Sequence, residues 1–254
     1  MKGKLAAFAV LCLCVLVWLF VYGRGYWYPV YTKMKGKQTV ADVVDKYGES
    51  AESRLKTAFD DAGMAYPPKE IALLAVKAEK RVELWAKAES MAEESVKQDD
   101  GKANVAWQRV KQYDVLAASG ELGPKLREGD KQVPEGIYRI IGLNPNSAYH
   151  LSMKLNYPNA FDSQWAEKEG RTEPGTNIFI HGKAVSVGCL AMGDPAIEEL
   201  FVLVNTIGQG NTRVIISPVD PRKQSLVPAE AAQPWVSTLY QDIEEAFLAV
   251  SSKR

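Results

Sequence analysis

Two side chains that can act together in nucleophilic catalysis follow a short apolar run at residues 178–180. His181 is one of two histidines among the 254 residues, and Cys189 is the only cysteine outside the N-terminal apolar segment. They are eight positions apart (189 minus 181), which is enough chain to turn back and bring them together. A thiolate is a strong nucleophile, and an imidazole can take the thiol proton. The pair therefore indicates cysteine-dependent acyl transfer.

Small residues surround both side chains. Gly182 follows the histidine, while Ser186 and Gly188 precede the cysteine. Glycine lets a substrate approach the backbone closely and readily adopts a positive φ. The backbone N–H groups around Gly188 and Cys189 are candidate oxyanion donors. Ser186 is either a hydrogen-bond partner in the site or a structural turn residue. The alternative for the whole segment is a buried structural cysteine beside an unrelated histidine, since free cysteines are often buried.

Several consecutive motifs point to one family. They are VPEGIYRI at 133–140, LNPNSAYHLSMKLNYPNAFD at 143–162, GRTEPGTNIFIHG at 170–182 and SVGCLAMGD at 186–194. Over about residues 70–220 the chain resembles the L,D-transpeptidase catalytic domain of the YkuD type, in its YafK-like branch. The resemblance implies an enzyme without a cofactor that acts on peptidoglycan stem peptides. It also implies a thioacyl-enzyme at Cys189, with His181 as general base.

Two departures from the family pattern bear on substrate choice more than on reaction type, and the fate of the acyl group is a separate open choice. Val187 stands where most members have a second histidine, and the gap between the motif halves is shorter. The acyl group can pass to an amine (transpeptidation) or to water. The second outcome makes the protein an amidase or hydrolase, which releases cross-links or a wall-linked lipoprotein. A catalytically silent wall-binding module is a further hypothesis, and it predicts that Cys189→Ser leaves the biological role intact.

Three further residues are candidate substrate contacts. The segment YHLSMKLNY at 149–157 alternates, which predicts a strand with Tyr149 on the apolar face and His150 on the polar face. His150 is either a surface histidine or a contact that replaces the histidine missing at Val187. Tyr149 is a neighbouring candidate. Arg171 is a candidate partner for a substrate carboxylate.

Composition and spacing argue against other classes of protein. Lys and Arg total 31, and Asp and Glu also total 31, so no basic excess suggests a nucleic-acid partner. Two of the three cysteines lie in the apolar segment, which excludes a disulfide framework in the rest of the chain. The spacing of His150, His181 and Cys189 matches no familiar zinc site, and no metal is predicted.

An uncharged apolar run occupies residues 5–22. As a helix it would be about 27 Å long, close to the roughly 30 Å of a membrane hydrocarbon core. No small-x-small cleavage site follows, whereas Tyr26, Trp27 and Tyr28 do, and aromatic residues are typical of membrane interfaces. We therefore expect an inner-membrane anchor, with a cleaved signal peptide as the alternative. The flanking charges do not settle orientation. A periplasmic location is implied by the resemblance, because the substrate lies outside that membrane.

The remaining patterns predict a mainly β fold with flanking helices (α+β). We expect an anchor at 1–22, a linker and helical segment at 23–68, the catalytic domain at 69–220 and a tail with an amphipathic helix at 221–254. Helices are predicted over 39–62 (in two pieces divided at Gly48), from Asp194 as N-cap, and over 234–250. Strands are predicted over 71–76, 81–86, 104–119 and 212–217. The resemblance implies that the loop at 120–136 shapes the substrate groove.

Overall fold

The chain forms an eight-stranded mixed sheet with helices on both faces. The computed structural model describes residues 2–87 and 107–251. The helices are α1 (Lys2–Tyr22), α2 (Arg24–Lys35), α3 (Val40–Asp61), α4 (Ala160–Lys168), α5 (Asp194–Ile207) and α6 (Val236–Ser251). The strands are β1 (Glu70–Val76), β2 (Arg81–Lys87), β3 (Trp107–Asp114), β4 (Gly136–Ser147), β5 (His150–Leu155), β6 (Phe179–His181), β7 (Leu190–Ala191) and β8 (Thr212–Ser217). Within this part the helices hold more residues than the strands, so the fold is mixed α+β rather than mainly β.

The strand order is β3-β2-β1-β8-β4-β5-β6-β7. The pairs β1–β8 and β6–β7 are parallel, and the other neighbours are antiparallel. The strands predicted over 71–76, 81–86 and 212–217 are confirmed as β1, β2 and β8, and β1 and β2 form a hairpin. β7 is a two-residue strand directly after Cys189. It was not predicted, because two residues are too few to show an alternation of apolar and polar side chains. The order places Cys189 at one edge of the sheet.

Helices cover the two faces of the sheet unequally. On the first face, α3 and α5 pack over residues from both halves of the sheet, including Leu73, Met153 and Ile180. On the second face, α6 packs on β3, β4 and β8, and the core it forms also includes residues of β1 and β2 but none of β5, β6 or β7. The second face is therefore open at the end of the sheet that carries His181.

The first long helix is continuous. The predicted start is confirmed, because Thr39 and Asp42 form a capping box. Gly48 is buried inside α3 and does not divide it. Burial of Val43, Leu55 and Phe59 along one stripe outweighs the roughly 1 kcal/mol that one interior glycine costs.

Other boundaries also differ from the predictions. The N-cap of α5 is Gly193, and Asp194 is the first helical residue, because its carboxylate accepts a hydrogen bond from the Lys183 amide instead of capping the helix. α4 was not predicted, although Asn159 and Asp162 form a capping box at its start. The polar segment predicted at 88–103 and the start of the strand predicted at 104–119 lie outside the described residues.

The N-terminal helices contact the β4–β5 hairpin. Nε of Arg24 donates to the carbonyl oxygen of Ala148 at 2.7 Å, and the Arg24 guanidinium lies 5.2 Å from the Trp27 ring centroid. Among the described residues, no helix is by itself long and apolar enough to cross a membrane. Residues 6–22 and α2 together meet the length and composition of a span, but they are bent by 72°. The predicted anchor therefore stays a prediction.

Candidate active site

His181 and Cys189 are brought to the same face of the sheet by the pairing of β6 with β7. Ile180 is the register partner of Leu190, and both are buried in the core beneath α5. Side chains alternate along strands. The residues next to this pair, His181 and Cys189, therefore point to the opposite face, which α6 leaves open. The sequence prediction that the two come together is consistent with this arrangement.

The two side chains line a groove of about 300 Å³. Its lining includes no Asp, Glu, Lys or Arg among the described residues. Besides His181, Cys189 and the small apolar residues, the groove is lined by amide, hydroxyl and aromatic groups, namely Asn144, Ser147, Tyr149, Ser152, Asn177 and Phe179. A substrate in this groove is thus met by neutral hydrogen-bonding groups.

The imidazole of His181 is held in one orientation. Its Nδ1 lies 2.7 Å from the carbonyl oxygen of Gly182, which can only accept, so Nδ1 carries the proton and Nε2 is the basic nitrogen. The Tyr149 ring packs on it with a centroid separation of 4.8 Å. His181 is only 3% exposed, and this burial lowers its pKa, against the opposing effect of the Gly182 hydrogen bond. His181 is consequently a neutral base at neutral pH.

Gly182 is required at its position by close packing. A Cβ there would lie 2.7 Å from the Asp194 carboxylate and 2.8 Å from the backbone oxygen of Tyr149. The Gly182 amide also donates to the Leu151 carbonyl at 3.1 Å. The carbonyl that orients His181 is therefore itself fixed on both sides.

The Cys189 thiol is half-buried and weakly held. Its Sγ lies 4.0 Å from the carbonyl oxygen of Asn177, and within the described part no hydrogen bond joins it to His181. Burial raises the pKa of the thiol, while a backbone contact at Phe179 and the charge of Lys125 oppose the rise. The resting pair is thus a neutral thiol and a neutral imidazole. Such contacts often tighten only when substrate binds.

The turn before Cys189 is built from serine hydroxyls. Ser186 Oγ accepts from the Cys189 amide at 3.0 Å and donates to the Cys189 carbonyl at 2.6 Å. Gly188 has φ +87°, and its amide donates to Ser119 Oγ at 2.6 Å. Both amides that were candidate oxyanion donors therefore already have acceptors. A substrate oxyanion must displace a hydroxyl to use them.

The loop at 120–136 supports this turn from behind. None of its residues is in the groove lining described above, contrary to the direct role that the resemblance implied. Instead, Ser119 Oγ donates to the Lys131 carbonyl at 2.7 Å, and the Gln132 carbonyl faces Gly188. The loop acts on Cys189 through the backbone of Gly188.

Residues 96–216 match the family model of the L,D-transpeptidase catalytic domain, YkuD. The family resemblance is confirmed. Every residue that lines the groove falls within the matched L,D-transpeptidase segment. The capped helix α3 and the C-terminal helix α6 lie outside it.

Relatives of the L,D-transpeptidase segment include the Escherichia coli proteins named “Putative L,D-transpeptidase YafK”. Those of strains K12 and O157:H7 are each 35% identical over 122 residues, which is 46% of this chain and 47% of the relative. The chain thus matches about half the length of these relatives. Among solved structures, the helical cell shape determining protein Pgp2 of Campylobacter jejuni is similar, with 15% identity, coverage of 80% and 79%, and a TM-score of 0.43. Bd1075 of Bdellovibrio bacteriovorus has 18% identity, coverage of 73% and 60%, and a TM-score of 0.39.

His150, a candidate substrate contact, lies away from the groove. His150 Nε2 lies 2.8 Å from Glu198 Oε1, and its ring packs edge-on against Tyr47. His150 does not replace the histidine missing at Val187, because its φ of 77° at the hairpin turn breaks the alternation. The same turn places Tyr149 in the groove instead of in the core.

Arg171 is also held elsewhere. Its Nε donates to the Glu169 carboxylate and its Nη1 to the Leu126 carbonyl, each at 2.7 Å. It lines a different surface cavity, with Leu126 and Thr172, and not the groove. The arginine therefore ties α4 to the loop, and it is not a substrate contact in this structure.

Two functional contacts could not be named from the sequence. The partner that orients His181 is a backbone carbonyl, which no residue type reveals. Ser119 lies 69 positions from Gly188, so no local motif connects them. The only available signal was the position of Ser119 directly before the glycine-rich loop.

Proposed function

We propose that this protein is a cysteine acyl-transferase of the L,D-transpeptidase type that acts on peptidoglycan stem peptides. The observation that carries the proposal is the shared groove of His181 and Cys189, with Nδ1 of the imidazole bonded to Gly182. This bond leaves Nε2 free to accept a proton from a thiol. The match of residues 96–216 to the L,D-transpeptidase family model supports the proposed substrate class.

In the first half-reaction, Cys189 Sγ attacks the carbonyl carbon of a stem-peptide diamino acid, and the thiol proton passes to His181 Nε2. Collapse of the tetrahedral intermediate breaks the C–N bond, and the imidazolium gives its proton to the leaving amine. A thioester remains on Cys189. The oxyanion is stabilised by the Gly188 and Cys189 amides once Ser119 and Ser186 release them.

In the second half-reaction, an acceptor amine attacks the thioester carbon and loses a proton to His181. The C–S bond breaks, and the same proton restores the thiol. Water in place of the amine gives hydrolysis. Val187, 67% exposed at the groove, favours this alternative, because no second imidazole covers the thioester there. The hydrolase would release cross-links or a wall-linked lipoprotein.

The test uses the full chain in detergent with defined muropeptides and mass spectrometry of the products. Exchange of the terminal residue for an added amine indicates transpeptidation, and shortened peptides indicate hydrolysis. Cys189→Ser should abolish both. If the wild-type protein has a reduced thiol but gives neither product, both the transpeptidase and the hydrolase hypotheses are refuted. The remaining hypothesis is then the catalytically silent wall-binding module.

We also propose that residues 5–22 anchor the enzyme in the inner membrane, with the groove in the periplasm. The exposed apolar side chains of α1 and the aromatic residues of α2 support this placement. In spheroplasts, added protease should remove the catalytic domain. Protection of the domain, or its recovery as a soluble cleaved protein, would contradict the anchor.

A further inference from the structure

A second open cavity lies on the sheet about Arg139 of β4 and Arg213 of β8. It has a volume of about 520 Å³ and includes both arginines in its lining. The two are register partners across the antiparallel pair, and both are exposed. Like charges directly opposite each other on a sheet are destabilising. This pair therefore places two positive charges side by side on an exposed part of the sheet.

The charge of these arginines is only partly balanced. Arg213 Nη2 lies 3.7 Å from the Glu70 carboxylate, which Lys87 also approaches at 3.8 Å. The Arg139 guanidinium has no hydrogen-bond or ion-pair partner among residues 2–87 and 107–251. The start of α4 also borders the cavity, but the capping box of Asn159 and Asp162 already occupies it, so the anion preference depends on the arginines.

The cavity and the cysteine groove share one face of the sheet. On β5, Ser152 pairs with His181 and Lys154 pairs with Phe179, so these residues point to the open face. Two residues further on, the Asn156 side chain accepts from the Arg139 amide at 2.7 Å. From Ser152 to Asn156 the distance along the chain is about 13 Å at roughly 3.3 Å per residue.

Lys154 lies on β5 between the two sites and contacts the edge of the cysteine groove. Its Nζ donates to Asn177 Oδ1 at 3.0 Å, and Asn177 lines the cysteine groove. Three basic side chains thus lead away from a groove whose described lining has no charged residue. We call Lys154, Arg139 and Arg213 the basic track.

We propose that the basic track binds carboxylates of the acidic wall peptide whose scissile bond lies in the cysteine groove. This inference rests on the proposed function for the identity of the bound polymer. That the bound polymer is negatively charged is inferred from the basic track alone. Arginine pairs with carboxylates in bidentate geometry, and the groove supplies only neutral contacts. The track thus selects extended, carboxylate-bearing substrates, while Cys189 and His181 perform the reaction.

The test compares the full chain in detergent with Arg139→Gln/Arg213→Gln and with a matched control, Lys56→Gln. Lys56 is an exposed basic residue on α3, beyond the opposite face of the sheet. Binding to purified peptidoglycan is measured by co-sedimentation, alongside thermal unfolding. We expect the double variant to bind about tenfold more weakly, with an unchanged or higher melting temperature, and the control to match wild type.

A second arm uses peptidoglycan whose carboxylates have been converted to amides. Amidation should weaken binding of the wild type by about as much as the two arginine substitutions do. It should weaken binding of the double variant only slightly further. Equal binding of wild type and double variant, or undiminished binding of wild type to the amidated polymer, would overturn the track. An active wild type with no arginine effect leaves the proposed function standing. If the wild type is inactive but the arginine substitutions weaken peptidoglycan binding, the proposal for the basic track is supported and the proposed reaction is not.

Discussion

His181 Nδ1 is hydrogen-bonded to the carbonyl oxygen of Gly182, the next residue in the chain, at 2.7 Å. The role that a buried carboxylate has in a Ser-His-Asp triad thus falls to a backbone carbonyl. A neutral acceptor fixes the tautomer without adding negative charge. Burial of the ring lowers the pKa of His181, and the Gly182 hydrogen bond only partly opposes this effect.

The acidic limb of the pH–rate profile should reflect this lowered pKa. Activity needs unprotonated Nε2, so kcat/KM should fall with a midpoint below 6.5, the ordinary value for histidine. The unfolded chain takes up the proton first, so His181 also makes the fold less stable as the pH falls through 6.5. Steady-state rates and circular dichroism at each pH separate the two effects. A limb centred above 6.5 in the folded protein would be inconsistent with a buried neutral base.

Gly182→Ala should damage catalysis by moving the imidazole. The new Cβ meets the Tyr149 backbone oxygen at 2.8 Å, which cannot yield as a flexible side chain would. A displacement of about 1 Å at a reacting group costs on the order of 100-fold in rate. We expect such a loss in kcat, measured beside thermal unfolding. The control is Gly25→Ala, where no atom lies within 4 Å of the added carbon. Full activity of Gly182→Ala would contradict the positioning role.

Ser186→Ala tests the turn that presents the thiol. The hydroxyl bridges the amide and carbonyl of Cys189, and its loss leaves both without that partner. Stability should fall by about 1 kcal/mol and kcat by about tenfold. Ser186→Thr keeps the hydroxyl and should retain most activity. Equal kcat values for Ser186→Ala and wild type would mean that the serine is not needed for presentation.

A buried ion pair holds the loop behind the active site. Lys77 Nζ donates to the Glu135 carboxylate at 2.9 Å, and Glu135 also accepts from the Gly123 amide and the Tyr240 hydroxyl. Lys77→Met should destabilise the fold by about 3–5 kcal/mol, because it leaves a buried carboxylate without its cation. Urea unfolding measures the change, and Lys77→Met/Glu135→Leu should recover much of it. A cost under about 1 kcal/mol for the single variant would show that the pair is not structurally important.

Local sequence patterns predicted the helices and strands that have a regular apolar face. The α6 stripe and the β1–β2 hairpin follow directly from apolar spacing, and both are confirmed. His181 and Cys189 could be paired because the chain between them is short. His150 was assigned to the wrong surroundings, since a backbone φ of 77° cannot be read from alternation. Ser119 was missed because it contacts Gly188 only through the tertiary fold.

The anchor prediction was limited for a different reason. Hydropathy measures composition along residues 5–22, whereas the 72° bend between residues 6–22 and α2 is a property of the backbone, and Arg24 after the bend contacts the β4–β5 hairpin. Composition alone cannot distinguish a span from two helices that meet at an angle.

If Cys189 carries the acyl group, the mass of the trapped enzyme shows it most directly. The full chain in detergent is mixed with a defined muropeptide, quenched in acid, digested and mapped by mass spectrometry. The proposed mechanism predicts an added acyl mass on the peptide that contains Cys189, and none in Cys189→Ala. Product formation without an adduct on Cys189, or an adduct confined to Cys12 or Cys14, would contradict it.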